Sequence, residues 1–179
     1  ITHMHYDHAG NDGLFPRARF HLQDSEMGFA TGRCMCHAGM NHPYEVEDVV
    51  AMVRRVYAGR VCFHDGDSEL FPGITLHHIG GHARGLQALR VQTRRGPVVL
   101  ASDTAHHYAH IRRRKVFPTV DSVADVFAGY DRLERLAPGL DHIIPGHDPL
   151  VAQLYPAHST ATANWIARLD APPATLPAD

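Results

Sequence analysis

His3-Met4-His5-Tyr6-Asp7-His8 brings four side chains able to ligate a metal into six residues. On an extended backbone His3 and His5 point to the same side. The chain then turns at Asp7-His8 toward Gly10, Asn11 and Gly13, so the four donors converge on a loop. Imidazole and carboxylate in this H-x-H-x-D-H order suit a transition metal such as zinc. Three later segments each add one donor: Gly80-Gly81-His82, Leu100-Ala101-Ser102-Asp103 and Ile144-Pro145-Gly146-His147. Each alone is a common surface arrangement. They share one logic, a ligand at the carboxyl end of a strand, where several loops can meet over one site. Five histidines and two aspartates exceed one tetrahedral zinc and suit two metals sharing a bridging carboxylate.

The elements that must hold these donors are short. Arg17 to Gln23 reads as a strand, with Ala18, Phe20 and Leu22 alternating. Ser25 to His42 has no clear period and reads as an irregular lid or loop, with room for a short helix. Glu45 to Tyr57 is expected to be a helix, because Val46, Val49, Val50, Val53 and Val56 fall at helical spacing; Pro43 suits its first turn and Gly59 its stop. Arg60 to Phe63 and Ile74 to Ile79 read as strands. Ala88 to Thr93 and Pro97 to Ala101 read as a hairpin across Arg94-Arg95-Gly96. A second helix is expected from Ser122 to Leu136, capped by Asp121, with Val123, Val126, Phe127, Tyr130 and Leu133 on one face. Asp141 to Ile144 is a short strand, and Ala161 to Leu169 a terminal helix before a Pro/Ala-rich tail from Ala171.

Composition narrows the class. The 179 residues carry a formal charge of −2, with 44% hydrophobic and 20% charged residues, as in ordinary globular proteins. No apolar run approaches the roughly 18 residues that span a bilayer, and a pI near 6.8 gives no steering toward nucleic acid or a membrane. Cys34, Cys36 and Cys62 are too few for a disulfide framework, and a cytoplasmic setting is the expectation, with a preceding signal segment left open. Arg112-Arg113-Arg114-Lys115 reads as a solvated loop before a helix. The surplus is histidine, 16 residues of 179.

The H-x-H-x-D-H segment followed by Ala9-Gly10-Asn11, then a lone His82, Asp103 and a final Gly146-His147, resembles the metallo-β-lactamase-fold hydrolase superfamily. Leu100-Ala101-Ser102-Asp103 and Asp141 to Pro149 resemble its N-acyl-homoserine lactonase branch. The resemblance runs from the first residues to about Pro156. It implies an α+β fold, a four-layer αββα sandwich. It also implies that His3, His5 and His82 hold one zinc, that Asp7, His8 and His147 hold the other, and that Asp103 bridges them; iron, cobalt or manganese are alternative metals. The family's first half precedes this loop. The expectation is therefore a partial sandwich, with residues 1–170 a domain lacking its N-terminal strands and 171–179 a tail, unstable or inactive alone.

The implied reaction is ring opening of an N-acyl-homoserine lactone (quorum quenching) by a metal-bridging hydroxide, with Asp7 passing the proton to the ring oxygen. Many such lactonases place a tyrosine three residues after the bridging aspartate. Here that position is His106, and the nearest tyrosine is Tyr108. Tyr108 is the expected carbonyl donor, because a phenol stays protonated at neutral pH, and His106 is the alternative. His106, His107 and His110 are candidate pocket groups. His77 and His78, adjacent on a strand, must face opposite ways. Cys34-Met35-Cys36-His37 lacks the second pair a structural zinc would need and reads equally as a lid over an acyl chain. A small lactone or ester is the expected partner, and a homodimer stays open. Competing readings are a glyoxalase II-like thioester hydrolase, a one-iron persulfide dioxygenase and a non-catalytic metal-binding domain.

Overall fold

The computed structural model describes residues 1–163 and 165–175. In it the first donor loop is wound into a single turn of helix, α1 (Tyr6–Ala9), rather than a simple extended entry. Strand β1 (Phe20–Gln23) follows. The stretch expected to be irregular is largely helical: α2 (Asp24–Ala30), a 3₁₀ turn at Arg33–Cys36, and α3 (Ala38–Asn41). Its helices are too short to show a hydrophobic period, which is why the sequence hides them. Next come α4 (Val46–Tyr57) and β2 (Val61–His64). β1 and β2 pair in parallel.

The larger sheet has the order β3 (Ser68–Phe71), β4 (Ile74–His78), β5 (Gln87–Thr93), β6 (Gly96–Ser102), β7 (Ile143–Pro145). It is antiparallel until β7, which joins β6 in parallel. The hairpin turn falls at Arg94-Arg95, as its register requires. Between β6 and β7 lie α5 (Tyr108–Arg113) and α6 (Val123–Leu136); α7 (Leu150–Leu154) follows β7.

Each sheet carries a helix. Val126, Tyr130 and Leu133 of α6 pack on Ala88, Val99 and Ala101 of the larger sheet. Met52 of α4 packs with Phe20 and Leu22 of β1. The sheets are joined by a buried amide pair, Gln23 Nε2 donating to Gln87 Oε1 at 2.9 Å. The order is α6, five-stranded sheet, two-stranded sheet, α4, an α+β arrangement.

Several local expectations need correction. Ser122, not Asp121, caps α6: its Oγ accepts Asp125 N–H at 3.3 Å, while Asp121 pairs with Arg84. Asp141 lies in a 3₁₀ turn (Leu140–His142), and the strand starts at Ile143. Pro43 precedes α4 rather than entering it. The basic run forms the end of α5, where Arg114 pairs with Asp131 and Glu134. The terminal helix does not form among the described residues. Thr160–Thr162 is a 3₁₀ turn, and Ala157 bridges Ala167. Its apolar residues lack a shared buried stripe, since Trp165 and Ile166 are exposed, and Ser159 and Thr162 side chains compete for local backbone. In the tail, Ala174 N–H donates to Leu154 O; positions 176–179 lie outside the described residues. Among the described residues no helix is long and apolar enough to cross a membrane.

Candidate metal centre

The donors come from four separate places along the chain. Thr2 O accepts Gln87 N–H at 3.0 Å, which anchors the entry to β5 just ahead of His3. His3 and His5 are buried on that entry, and α1 then carries Asp7 and His8. His82 follows the bend after β4. Asp103 follows β6 directly, and Ser102 before it sits in the left-handed region at φ 47°, a strained conformation that aims the next side chain. His147 follows β7. Gly146 lets that strand end approach: a Cβ there would lie 2.8 Å from Asp103 Oδ1, and its N–H donates to Ser102 O and Ala105 O.

Among the described residues the side chains fall into four overlapping groups of three, two of which join His3 with His8 and Asp103, and His82 with Asp103 and His106. In His3, His5 and His82, and in Asp7, His8 and His147, one ligand atom from each residue lies within 4.8 Å of the others. Asp103 lies between them. Its oxygens are 3.1 Å from His8 Nε2, 3.3 Å from His82 Nε2 and 3.2 Å from His147 Nε2. All seven residues singled out as ligands are thus brought together.

The electrostatics suit metal binding. Burial, then neighbouring histidines, hold His3 well below its usual pKa, and His5 is pushed down to about 3 by burial and then by His82. Burial takes His82 down to about 4. These imidazoles are neutral near pH 7, as ligation requires. Burial also opposes a charge on His8, but its hydrogen bond to Asp103 prevails and its pKa rises. Burial would raise the Asp103 carboxyl, yet hydrogen bonds from His106 and His8 hold it far below the ordinary carboxylate range.

The residues fit a metal on two observations. His3 Nε2 and His82 Nε2 are buried without a hydrogen-bond partner, which is costly unless a ligand takes them. His82 Nδ1 donates to Thr119 O at 2.6 Å, which fixes the tautomer that turns its Nε2 lone pair inward.

His106 and Tyr108 separate. His106 lines the cleft of about 240 Å³ with His5, Asp7, His82, Asp103 and His147. Its Nε2 donates to Asp103 Oδ2 at 3.0 Å and its ring stacks on Phe117 at 3.7 Å. Tyr108 is not brought to the cleft; it is 2% exposed in the core with Val98, Ile144 and Leu154. His107 is exposed beside His110, His77 and His78 take separate partners in Asp67 and Arg84 O, and His42 lines a crevice against His5 and His82. Sequence reasoning missed Glu26, Tyr44 and the Thr119 carbonyl. The first two sit where no period shows, and a backbone carbonyl leaves no mark in a sequence.

No family model matches the chain. It is 31% identical over 138 residues to the N-acyl homoserine lactonase AiiB of Rhizobium rhizogenes, covering 74% of this chain and 48% of that protein. A solved N-acyl homoserine lactone hydrolase, with the product N-hexanoyl-L-homoserine at its catalytic metal centre, superposes with a TM-score of 0.66 at 25% identity, over 82% of this chain and 54% of that one. A hydrolase of the β-lactamase superfamily superposes with the same TM-score at 17% identity, over 83% and 55%, a likeness of fold alone. The chain spans about half the length of the curated relatives it matches.

Proposed function

The chain is a homologue of the N-acyl homoserine lactonases with the metallo-β-lactamase fold, and from that premise we propose that it is a metal-dependent hydrolase opening the ring of an N-acyl homoserine lactone. The observation that carries the proposal is the placing of Asp103 within 3.3 Å of histidine nitrogens from both ligand groups. His3, His5 and His82 would hold one ion and Asp7, His8 and His147 a second, with Asp103 shared. Zinc is the proposed metal; iron, cobalt or manganese suit the same donors. When bound, such a pair supplies Lewis acidity and a water acidified toward neutrality.

The chain's own residues do the rest. Asp7 Oδ2 lies 3.5 Å from His8 Nε2 and 3.6 Å from His147 Nε2, and the side chain is 40% exposed to the cleft. It can hold the proton released by water and pass it to the ring oxygen as the acyl C–O bond breaks, leaving a hydroxy acid. His106, clamped between Asp103 and Phe117, is the imidazole facing the substrate carbonyl; Tyr108 is too deep for that role.

Room for an acyl chain adjoins the cleft. A crevice of about 70 Å³ opens beside His5 and His82, walled by Phe29, Met40, Pro43 and Val120. His42 and Tyr44 also line a groove of about 420 Å³ along Val46, Val49 and Val50. The three cysteines are free, which fits a cytoplasmic setting.

The test is turnover of N-hexanoyl-homoserine lactone beside a glutathione thioester, with metal content measured on the same sample. Lactone opening that a chelator abolishes and zinc restores is expected, at two metals per chain. Thioester turnover without lactone turnover, or one iron per chain, would overturn the proposal.

A further inference from the structure

Glu26, on α2, is a fully buried carboxylate outside the metal cleft. Its Oε1 accepts Met4 N–H at 2.8 Å and Tyr44 O–H at 3.1 Å, and its Oε2 accepts Gly85 N–H at 2.8 Å. The partners are what make it unusual. Met4 stands between His3 and His5, and Gly85 is three residues past His82. One carboxylate therefore ties together the two stretches of chain that supply His3, His5 and His82. Tyr44 extends the tie: its ring meets the His5 ring edge-on at 4.7 Å. The fit is close, since a Cβ on Gly85 would lie 2.3 Å from Glu26 Cβ.

We propose that Glu26 is a positioning residue for the metal centre, holding the His3-Met4-His5 segment and the His82 loop at the separation that one divalent ion needs. Ordinary stabilisation of the fold does not call for this arrangement. One amide lies between His3 and His5 and the other three residues past His82, and no other side chain of this size presents two acceptor oxygens to two opposed N–H groups. An amide in its place would turn an NH₂ toward one of those donors. Burial pushes the Glu26 carboxyl above its usual pKa while the two amides and the Tyr44 hydroxyl pull it back. The inference rests on the metal-centre reading above, because it concerns the same three ligands.

The experiment titrates the metal-free full-length protein, with any chain that flanks these residues, with Co²⁺, following its visible d–d absorption, beside thermal melting and far-UV circular dichroism. Glu26→Gln is expected to keep its far-UV spectrum, to bind the first equivalent at least about tenfold more weakly than wild type, and to show altered d–d bands. Leu133→Ala, in the α6 core and away from the site, should melt lower yet bind Co²⁺ as wild type does. Glu26→Gln with wild-type affinity and bands would overturn the inference, however far its melting falls. If Glu26→Gln does not fold, Tyr44→Phe carries the test by removing one donor: weakened binding supports the inference and unchanged binding overturns it. A wild-type chain that binds no Co²⁺ would overturn the metal reading and this inference together, a result distinct from normal binding by both proteins.

Discussion

The metal-free protein should lose stability steeply as pH falls from about 7.5 to 5. His5 and His82 have folded-state pKa values near 3 and 4, against 6.5 for an ordinary imidazole, with burial the leading cause for both. A depressed histidine means that the unfolded chain takes up a proton the native chain refuses, so acid favours unfolding. Each pKa unit is worth about 1.4 kcal/mol. Between about pH 7.5 and 5 each group travels about 1.5 units below its unfolded pKa, costing about 2 kcal/mol, or about 4 kcal/mol for the pair. His3 is also held well below its usual pKa, by burial first, and adds in the same direction. His8 acts with the opposite sign. Its raised pKa contributes stability that is fully present below pH 6.5 and is lost as pH rises through its folded value, so it offsets part of the fall at the upper end of the window and none of it below pH 6.5. The Asp103 carboxyl stays ionised throughout, because its pKa lies far below this window. A loss of about 4 kcal/mol is a large share of the 5–15 kcal/mol that holds a typical domain together. The assay is urea unfolding of chelator-stripped protein at half-unit pH steps. A stability flat to within about 1 kcal/mol across the window would refute the claim that these imidazoles are buried neutral. Loaded protein should resist unfolding down to the pH at which protons displace the metal.

Three further outcomes follow from the same geometry. Asp103→Asn should lower metal content from two per chain toward one and cut lactone turnover by about 100-fold or more, read by elemental analysis beside kinetics; two metals with full turnover would remove Asp103 from its shared position. His106→Ala should lower kcat for the lactone about tenfold to 100-fold at unchanged metal content, while Tyr108→Phe leaves kcat and KM as they are; the reverse pattern would restore the tyrosine to the cleft. Met40→Trp, which narrows the crevice beside His5 and His82, should raise KM for long-chain lactones more than for short ones, and an equal change across chain lengths would show that the acyl group lies elsewhere.

His106 and Tyr108 show where sequence reasoning runs out. The seven ligand-type residues could be found because each sits at a strand end or in a dense run, and a donor there has nowhere to go but the loop cluster over the sheet edge. Two residues further on, that constraint is gone. His106 still belongs to the turn after β6, whereas Tyr108 opens α5, and the first helical turn rotates it into the core beside Leu154. Chemistry favoured the phenol, but position along the backbone buries it and leaves the imidazole lining the cleft. The same division runs through the fold. Helical spacing located α4 and α6 to within a residue or two, yet period alone does not say what covers a face. Met52 is the buried residue of α4, while Val46 on its valine stripe is 66% exposed. Glu26 was out of reach for a related reason. Its importance depends on two backbone amides at Met4 and Gly85, 22 and 59 residues away, and amides are the same in every sequence. Donor side chains that converge can therefore be read from residue type and strand ends, whereas the groups that tie their segments together act through the backbone and appear only once the chain has folded.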